Sequence, residues 1–171
     1  MSITRYQDIP RFPQAGYSVR VPWYRIEHEI GDMKPAINLR PDFQREDRWT
    51  REQQIAFVEH GLMGGESSMV ITSNCPGVGK DWLGEYVLVD GLQRVTSVRA
   101  FIAGKIPAFG SYVHQFTDAP RTMQGRFEWR ILGLQTRAQV LKQYLLMNEG
   151  GVVHSREEIE RVKVLLAKED L

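Results

Sequence analysis

Apolar positions along the chain follow two periods. Spacings of three and four residues recur over 50–62, 92–102, 137–148 and 156–168, which predicts helices with one buried face. Ile55, Val58 and Leu62 mark the first face, and Val95, Val98, Phe101 and Ile102 the second. Val140, Tyr144 and Met147 line the third, and Ile159, Val162, Leu165 and Leu166 the fourth. Three of these segments open on a Ser/Thr-x-x-Glu/Gln pattern: Thr50 with Gln53, Thr136 with Gln139, Ser155 with Glu158. In that pattern two side chains satisfy backbone N–H groups at a helix start. Gly61, Gly64 and Gly65 are read as ending the first helix, and Gly104 the second. Shorter β-type runs occupy Val19–Trp23, Met69–Thr72, Tyr86–Val89 and Phe127–Leu132. Tyr86-Val87-Leu88-Val89 has no polar break, which predicts a buried central strand. Tyr24–Ile30 is read as one or two helical turns. Pro35 and Pro41 bracket an extended piece around Ile37 and Leu39.

The alternation of short strands and helices predicts an α+β (mixed α/β) domain over 21–171, with a helical C-terminal part. Residues 1–20 lack periodicity, carry two prolines and are read as an irregular arm. Over the first 25 residues Arg5, Arg11, Arg20 and Arg25 face only Asp8. The arm is thus a solvated tail or a phosphate-contacting one. The chain as a whole has 171 residues and a formal charge of +1. That balance argues against a broadly basic coat for nucleic acid and leaves room for a local basic patch. The single cysteine, Cys75, excludes an internal disulfide and a cysteine-rich zinc site. No apolar run approaches the length of a membrane span and no signal-peptide pattern is present, so a cytoplasmic protein is expected.

Candidate chemistry concentrates in two motifs. Asp90-Gly91-Leu92-Gln93-Arg94 lies where the apolar strand runs into a helix. Backbone N–H groups and the positive dipole end at such a junction favour an anion. Gly91 would let a ligand come close, while Gln93 and Arg94 add donors. Asp90 is open to three roles: capping the helix, holding a metal ion, or positioning a water. The second motif is Arg40-Pro41-Asp42-Phe43-Gln44-Arg45, followed by Trp49. Its arginines suit an electrostatic clamp and its aromatics suit base stacking. Read alone, the first motif is as readily a helix cap with a surface arginine, and the second a surface turn with solvated charges. Pro76-Gly77-Val78-Gly79-Lys80 imitates a P-loop but lacks the leading glycine and the Ser/Thr after the lysine. His28, His60, His114 and His154 show no metal-ligand spacing. Gly110–Gly125, with Tyr112, His114 and Arg121, reads as a mobile loop.

Taken in order, Arg-Pro-Asp-Phe-Gln-Arg…Trp and Val-Asp-Gly-Leu-Gln-Arg-Val-Thr-Ser resemble the N-terminal domain of GmrSD-type modification-dependent restriction systems, of the ParB/sulfiredoxin-like superfamily. The resemblance covers roughly Leu39 to Phe109, and more weakly the C-terminal helices. It implies a small mixed sheet with flanking helices that binds and hydrolyses nucleoside triphosphates in a phage or anti-phage DNA modification or restriction setting. Residue by residue it points to Asp90, Arg94 and Arg45 as catalytic. Arg40, Gln44, Arg45, Gly91, Gln93 and Arg94 would bind nucleotide, and Phe43 and Trp49 would stack a base. Asp90 would hold Mg²⁺ or place the attacking group. The acceptor is water, giving a nucleotidase, or a hydroxyl such as one on a modified base in DNA, giving a kinase. The competing readings are a non-catalytic nucleotide- or DNA-binding module and, third, a ParB-like nuclease. The family pattern is Asp-Gly-Gln-Gln-Arg, and Leu92 departs from it, which is expected either to exchange a solvent-facing side chain or to remove one nucleotide contact. A C-terminal His-Asn-His nuclease domain does not fit within 171 residues. A separate nuclease or modification-enzyme chain is therefore the expected partner, beside nucleotide and DNA.

Overall fold

β4 (Arg126–Leu132) organises the molecule, because its residues alternate between exposed and buried along its length. Phe127, Trp129 and Ile131 point to one face, and Arg126, Glu128 and Arg130 to the other. β1 (Tyr17–Pro22) pairs with it antiparallel, from Tyr17 opposite Ile131 to Pro22 opposite Arg126. β2 (Val70–Asn74) pairs with its other edge in parallel, from Val70 beside Glu128 to Asn74 beside Leu132. β3 (Val87–Asp90) pairs antiparallel with β2, through an irregularity between Thr72 and Ser73. The sheet order is β1-β4-β2-β3. A computed structural model describes residues 16–31, 36–44, 49–65, 69–76, 86–148 and 156–169 of the chain.

Around this mixed sheet the described residues form α1 (Ile26–Gly31), α2 (Arg51–Leu62), α3 (Leu92–Ile102), α4 (Arg137–Asn148) and α5 (Arg156–Glu169). The protein is an α+β domain. α2 and α3 pack on the face that carries Phe127, Trp129 and Ile131, with Phe57, Val58, Val95, Val98 and Phe101 filling the layer. A second cluster lies on the opposite face. There Val87 and Val89 meet Phe43, Leu134, Val140, Leu141, Tyr144 and Val162. α4 and α5 thus cover the β3 end of that face. Ser18, Arg20, Arg126 and Arg130 at the β1–β4 end stay exposed.

Both bonds of the Thr50–Gln53 capping box are present at the start of α2. The Thr136–Gln139 pair is present too, at 3.2 and 3.3 Å. The Ser155 pattern lies outside the described residues. Gly61 does not end α2; it sits within it, where a Cβ would come within 2.1 Å of the Trp23 ring. The glycine there admits the largest side chain of the core.

Two placements differ from expectation. The tract Tyr86–Val89 forms an edge of the four-stranded sheet, not its centre. Its unbroken apolar character reflects burial on both faces, Leu88 in one cluster and Val87 and Val89 in the other. Its outer edge is covered by Asn38, which donates to the Tyr86 carbonyl at 2.6 Å and accepts from Leu88 at 2.9 Å. The strand β1 begins at Tyr17, so residues 17–20 belong to the sheet and not to an arm. Tyr17 and Val19 alternate there with Ser18 and Arg20, a period of two that continues into Val21, although the first four side chains are exposed. The rest of the expected arm lies outside the described residues. Gly110–Gly125 is folded into two 3₁₀ turns, Val113–Gln115 and Pro120–Thr122. Among the described residues no helix is long and apolar enough to cross a membrane.

Candidate functional site at the β3–α3 turn

Asp90 closes β3 and Gly91 takes the N-cap position of α3 with φ 104°. Only glycine adopts that conformation readily. A Cβ on Gly91 would also lie 2.6 Å from Ile71 Cγ2. The space beside Gly91 is filled by the core, so the glycine serves the packing of β2 and not the close approach of a ligand. Gly91 offers no side-chain cap, and Asp90 does not supply one. Asp90 instead forms an ion pair with Arg94, one helical turn on, with both side chains part-exposed.

Leu92 is buried in the α2–α3 layer, 4% exposed. The expectation of a solvent-facing side chain there is corrected. The departure from the family pattern falls in the core. Gln93 is also buried, and its Oε1 accepts a hydrogen bond from the Trp49 backbone N–H at 3.1 Å. In this arrangement Gln93 is a strut joining the two motifs.

The first motif is fastened to the same unit. Asp42 and Phe43 lie in a turn closed by the Gln44 N–H on the Pro41 carbonyl at 2.9 Å. Gln44 Nε2 reaches the Leu88 carbonyl at 3.4 Å. Arg137 donates to both Asp42 carboxylate oxygens at 2.6 Å. Arg161 donates to the Gln44 carbonyl at 3.2 Å. Arg40 is exposed, and its backbone N–H is held by Asn38 Oδ1 at 3.0 Å. Arg45 lies outside the described residues. Its neighbours in the description, Gln44 and Trp49, are both bonded to the β3–α3 unit.

The base-stacking assignment of Phe43 is corrected. Phe43 is 2% exposed and meets Tyr144 edge-on with centroids 5.2 Å apart. Trp49 is half-buried against the core, its ring centroid 5.3 Å from that of Phe57. The Phe43 ring is spent on packing, whereas Trp49 keeps a part-exposed surface. Among the described residues no group of three His, Cys, Asp or Glu is placed to hold a metal.

Three residues that the sequence reading passed over belong to this region. Arg137 and Arg161 come from the C-terminal helices, about a hundred residues from the turn they hold, with no local signal to link them. Thr72 stands opposite Asp90 in the β2–β3 ladder. It is 1% exposed, and its hydroxyl has no hydrogen-bond partner.

Comparison with protein-family models, curated proteins and solved structures finds no match.

Proposed function

We propose that the chain binds a nucleoside triphosphate at the β3–α3 turn and transfers its terminal phosphoryl group to water or to a hydroxyl. One observation carries this reading. The Asp90–Arg94 ion pair sits part-exposed at the N-terminus of an 11-residue helix, with the arginine-bearing 40–44 segment fastened beside it. A helix N-terminus and a nearby arginine fork are the elements that bind phosphate. The same two motifs are those that resemble GmrSD-type domains, and the reading takes its reaction class from that resemblance.

In this reading Arg94 exchanges the Asp90 carboxylate for a phosphate oxygen when nucleotide enters. Arg40, and Arg45 by its place in the motif, add positive charge along the triphosphate. Asp90, released, orients the attacking oxygen. The attacking oxygen forms the new bond to the terminal phosphorus, and the bond to the bridging oxygen breaks. The nucleoside diphosphate leaves with that electron pair, and the proton of the water or hydroxyl passes to solvent. Catalysis of this type is mostly positioning and electrostatics. Mg²⁺ is commonly held by one or two carboxylates together with substrate phosphates. Asp90 fits that pattern as the single carboxylate, and the ion would neutralise charge on the triphosphate. Gln93 acts by holding Trp49, not by contact with phosphate.

The Asp90–Arg94 pair also favours a second reading, a nucleotide-binding module without turnover, because a carboxylate engaged by its neighbour is a poor base. One experiment separates the two. Purified protein is incubated with each triphosphate and Mg²⁺, with and without DNA, and phosphate release and label transfer are followed. The first reading expects turnover that falls at least tenfold in Asp90→Ala and in Arg94→Ala. Tight nucleotide binding without turnover would establish the module instead. Full activity in both variants would remove the site from the β3–α3 turn.

A further inference from the structure

The sheet face left uncovered by α4 and α5 carries a concentration of arginine that the near-neutral total charge conceals. Arg126, Glu128 and Arg130 share this face of β4, and Ser18 and Arg20 share it on β1. Arg20 stands opposite Glu128, between the two β4 arginines. The lone carboxylate of the group, Glu128, meets Arg130 at 3.5 Å in an exposed pair. Among the described residues neither Arg20 nor Arg126 is in an ion pair. The face therefore holds three guanidinium groups against one carboxylate.

Its geometry is linear. Arg126 and Arg130 are four residues apart on one strand, about 13 Å, the rise of roughly four nucleotides in one strand of a duplex. At the Arg20–Arg126 end the face opens into a cavity of about 230 Å³, floored by Met69, Val70 and Phe127 and edged by Gln124. At the other end, Ser18, Arg130, Thr72 and Asp90 lie in one row across all four strands. Two inter-strand spacings, about 10 Å, separate Arg130 from Asp90. Arg130 is thus the arginine in the row of the candidate phosphoryl-transfer turn, with the buried Thr72 between them.

We propose that this β1–β4 face seats the phosphate backbone of a nucleic acid. Every cation on it is an arginine, whose planar fork matches phosphate oxygens. No exposed apolar side chain stands among them to enter a lipid surface. A strand held by Arg126, Arg20 and Arg130 runs along β4, passes Asp90 at two strand spacings from Arg130, and is the hydroxyl-bearing acceptor. In naming the acceptor the inference rests on the phosphoryl-transfer reading; the binding surface does not.

The test is fluorescence anisotropy of a labelled 20-base-pair duplex, without nucleotide, at 50 and 200 mM salt. Three phosphate contacts give a slope near −2.7 in log affinity against log salt, or about a 40-fold loss over that range. The exposed triple variant Arg20→Gln, Arg126→Gln, Arg130→Gln is expected to lose at least tenfold in affinity and most of the slope. Arg51→Gln, exposed at the start of α2 against the other face of the sheet, is expected to bind as the wild type does. Circular dichroism checks that the triple variant is folded; should it not be, the single Arg126→Gln is read for a slope reduced by about one. No duplex binding by the wild type at 50 mM salt, or unchanged binding by the folded variant, overturns the proposal. Equal competition by polyglutamate or anionic vesicles overturns the nucleic-acid assignment. Phosphate release and label transfer from triphosphates are measured on the wild type in parallel. Duplex binding with neither release nor transfer leaves this surface and removes the phosphoryl-transfer reading; release without duplex binding does the reverse.

Discussion

Replacing Gln93 by alanine decides whether this residue is a strut or a ligand contact. The side chain is 7% exposed and bonds the backbone of a residue 44 positions away. Alanine removes the acceptor and leaves the part-buried Trp49 N–H without it, which costs about 1–2 kcal/mol at the lower end of the range for an orphaned donor. Roughly one buried methylene of packing is lost as well, about 0.8 kcal/mol. The sum is about 2 kcal/mol, or about 4–8 °C in Tm for a domain of this size. Gln93→Met fills the space without an acceptor, so it should recover only the packing part and remain about 1 kcal/mol below the wild type. Urea unfolding by tryptophan fluorescence reads both variants. A Gln93→Ala protein within about 0.5 kcal/mol of the wild type, yet weakened in nucleotide binding, would refute the strut assignment and return Gln93 to the ligand.

Three further outcomes follow from individual contacts. Gly91→Ala places a Cβ at a φ of 104° and 2.6 Å from Ile71, so thermal denaturation should show a loss of roughly 2–4 kcal/mol. Thr72→Val exchanges a buried, unpartnered hydroxyl for a methyl and should stabilise the fold by about 1 kcal/mol in urea titration; a loss of similar size would mean that the hydroxyl has a partner in solution. Burial pushes the Tyr86 phenol up to about 12, against an unfolded value near 10. The unfolded chain therefore loses this proton first, and the stability held by neutral Tyr86 is full below pH 10 and declines between pH 10 and about 12. The decline is on the order of 2 kcal/mol, and Tyr86→Phe should lack it; equal alkaline slopes for the two proteins would contradict the assignment.

What could be read from the sequence is what neighbours in the chain determine. The Thr50–Gln53 box is set by residues three apart, and the α3 face by Val95, Val98 and Phe101 within two turns. The Asp90–Gly91 junction is visible because an apolar run meets a glycine and then a helical period. What could not be read depends on pairing at long range. Continuous hydrophobicity in Val87–Val89 reports two buried faces and is silent on neighbours, so an edge strand covered by α4 and Asn38 looks central. Phe43 and Trp49 stand beside arginines in the sequence, which suggests stacking, but a short turn has no period to show which side chains point inward. Thr72 and Arg130 join the row of Asp90 only through strand register. No local pattern encodes that.

The two helical layers have different consequences for the candidate site. α2 and α3 complete the main core and aim the start of α3 at the end of β3. α4 and α5 add the second core over Val87 and Val89 of β3, reaching Leu132 at the end of β4, and from there Arg137 and Arg161 hold the 41–44 turn against the strand. Because these helices leave Arg126 and Arg130 uncovered, the same sheet face changes character within two strands, from Val87 and Val89 under helices to Arg126 and Arg130 in solvent. Asp90 and Thr72 lie on that boundary. A phosphate-bearing molecule on the open side and a nucleotide at the start of α3 would meet there. A C-terminal layer wide enough to cover β4 would have buried the arginines and closed that approach. The limited reach of α4 and α5 is therefore what lets one face of the sheet serve both as a core and as a surface.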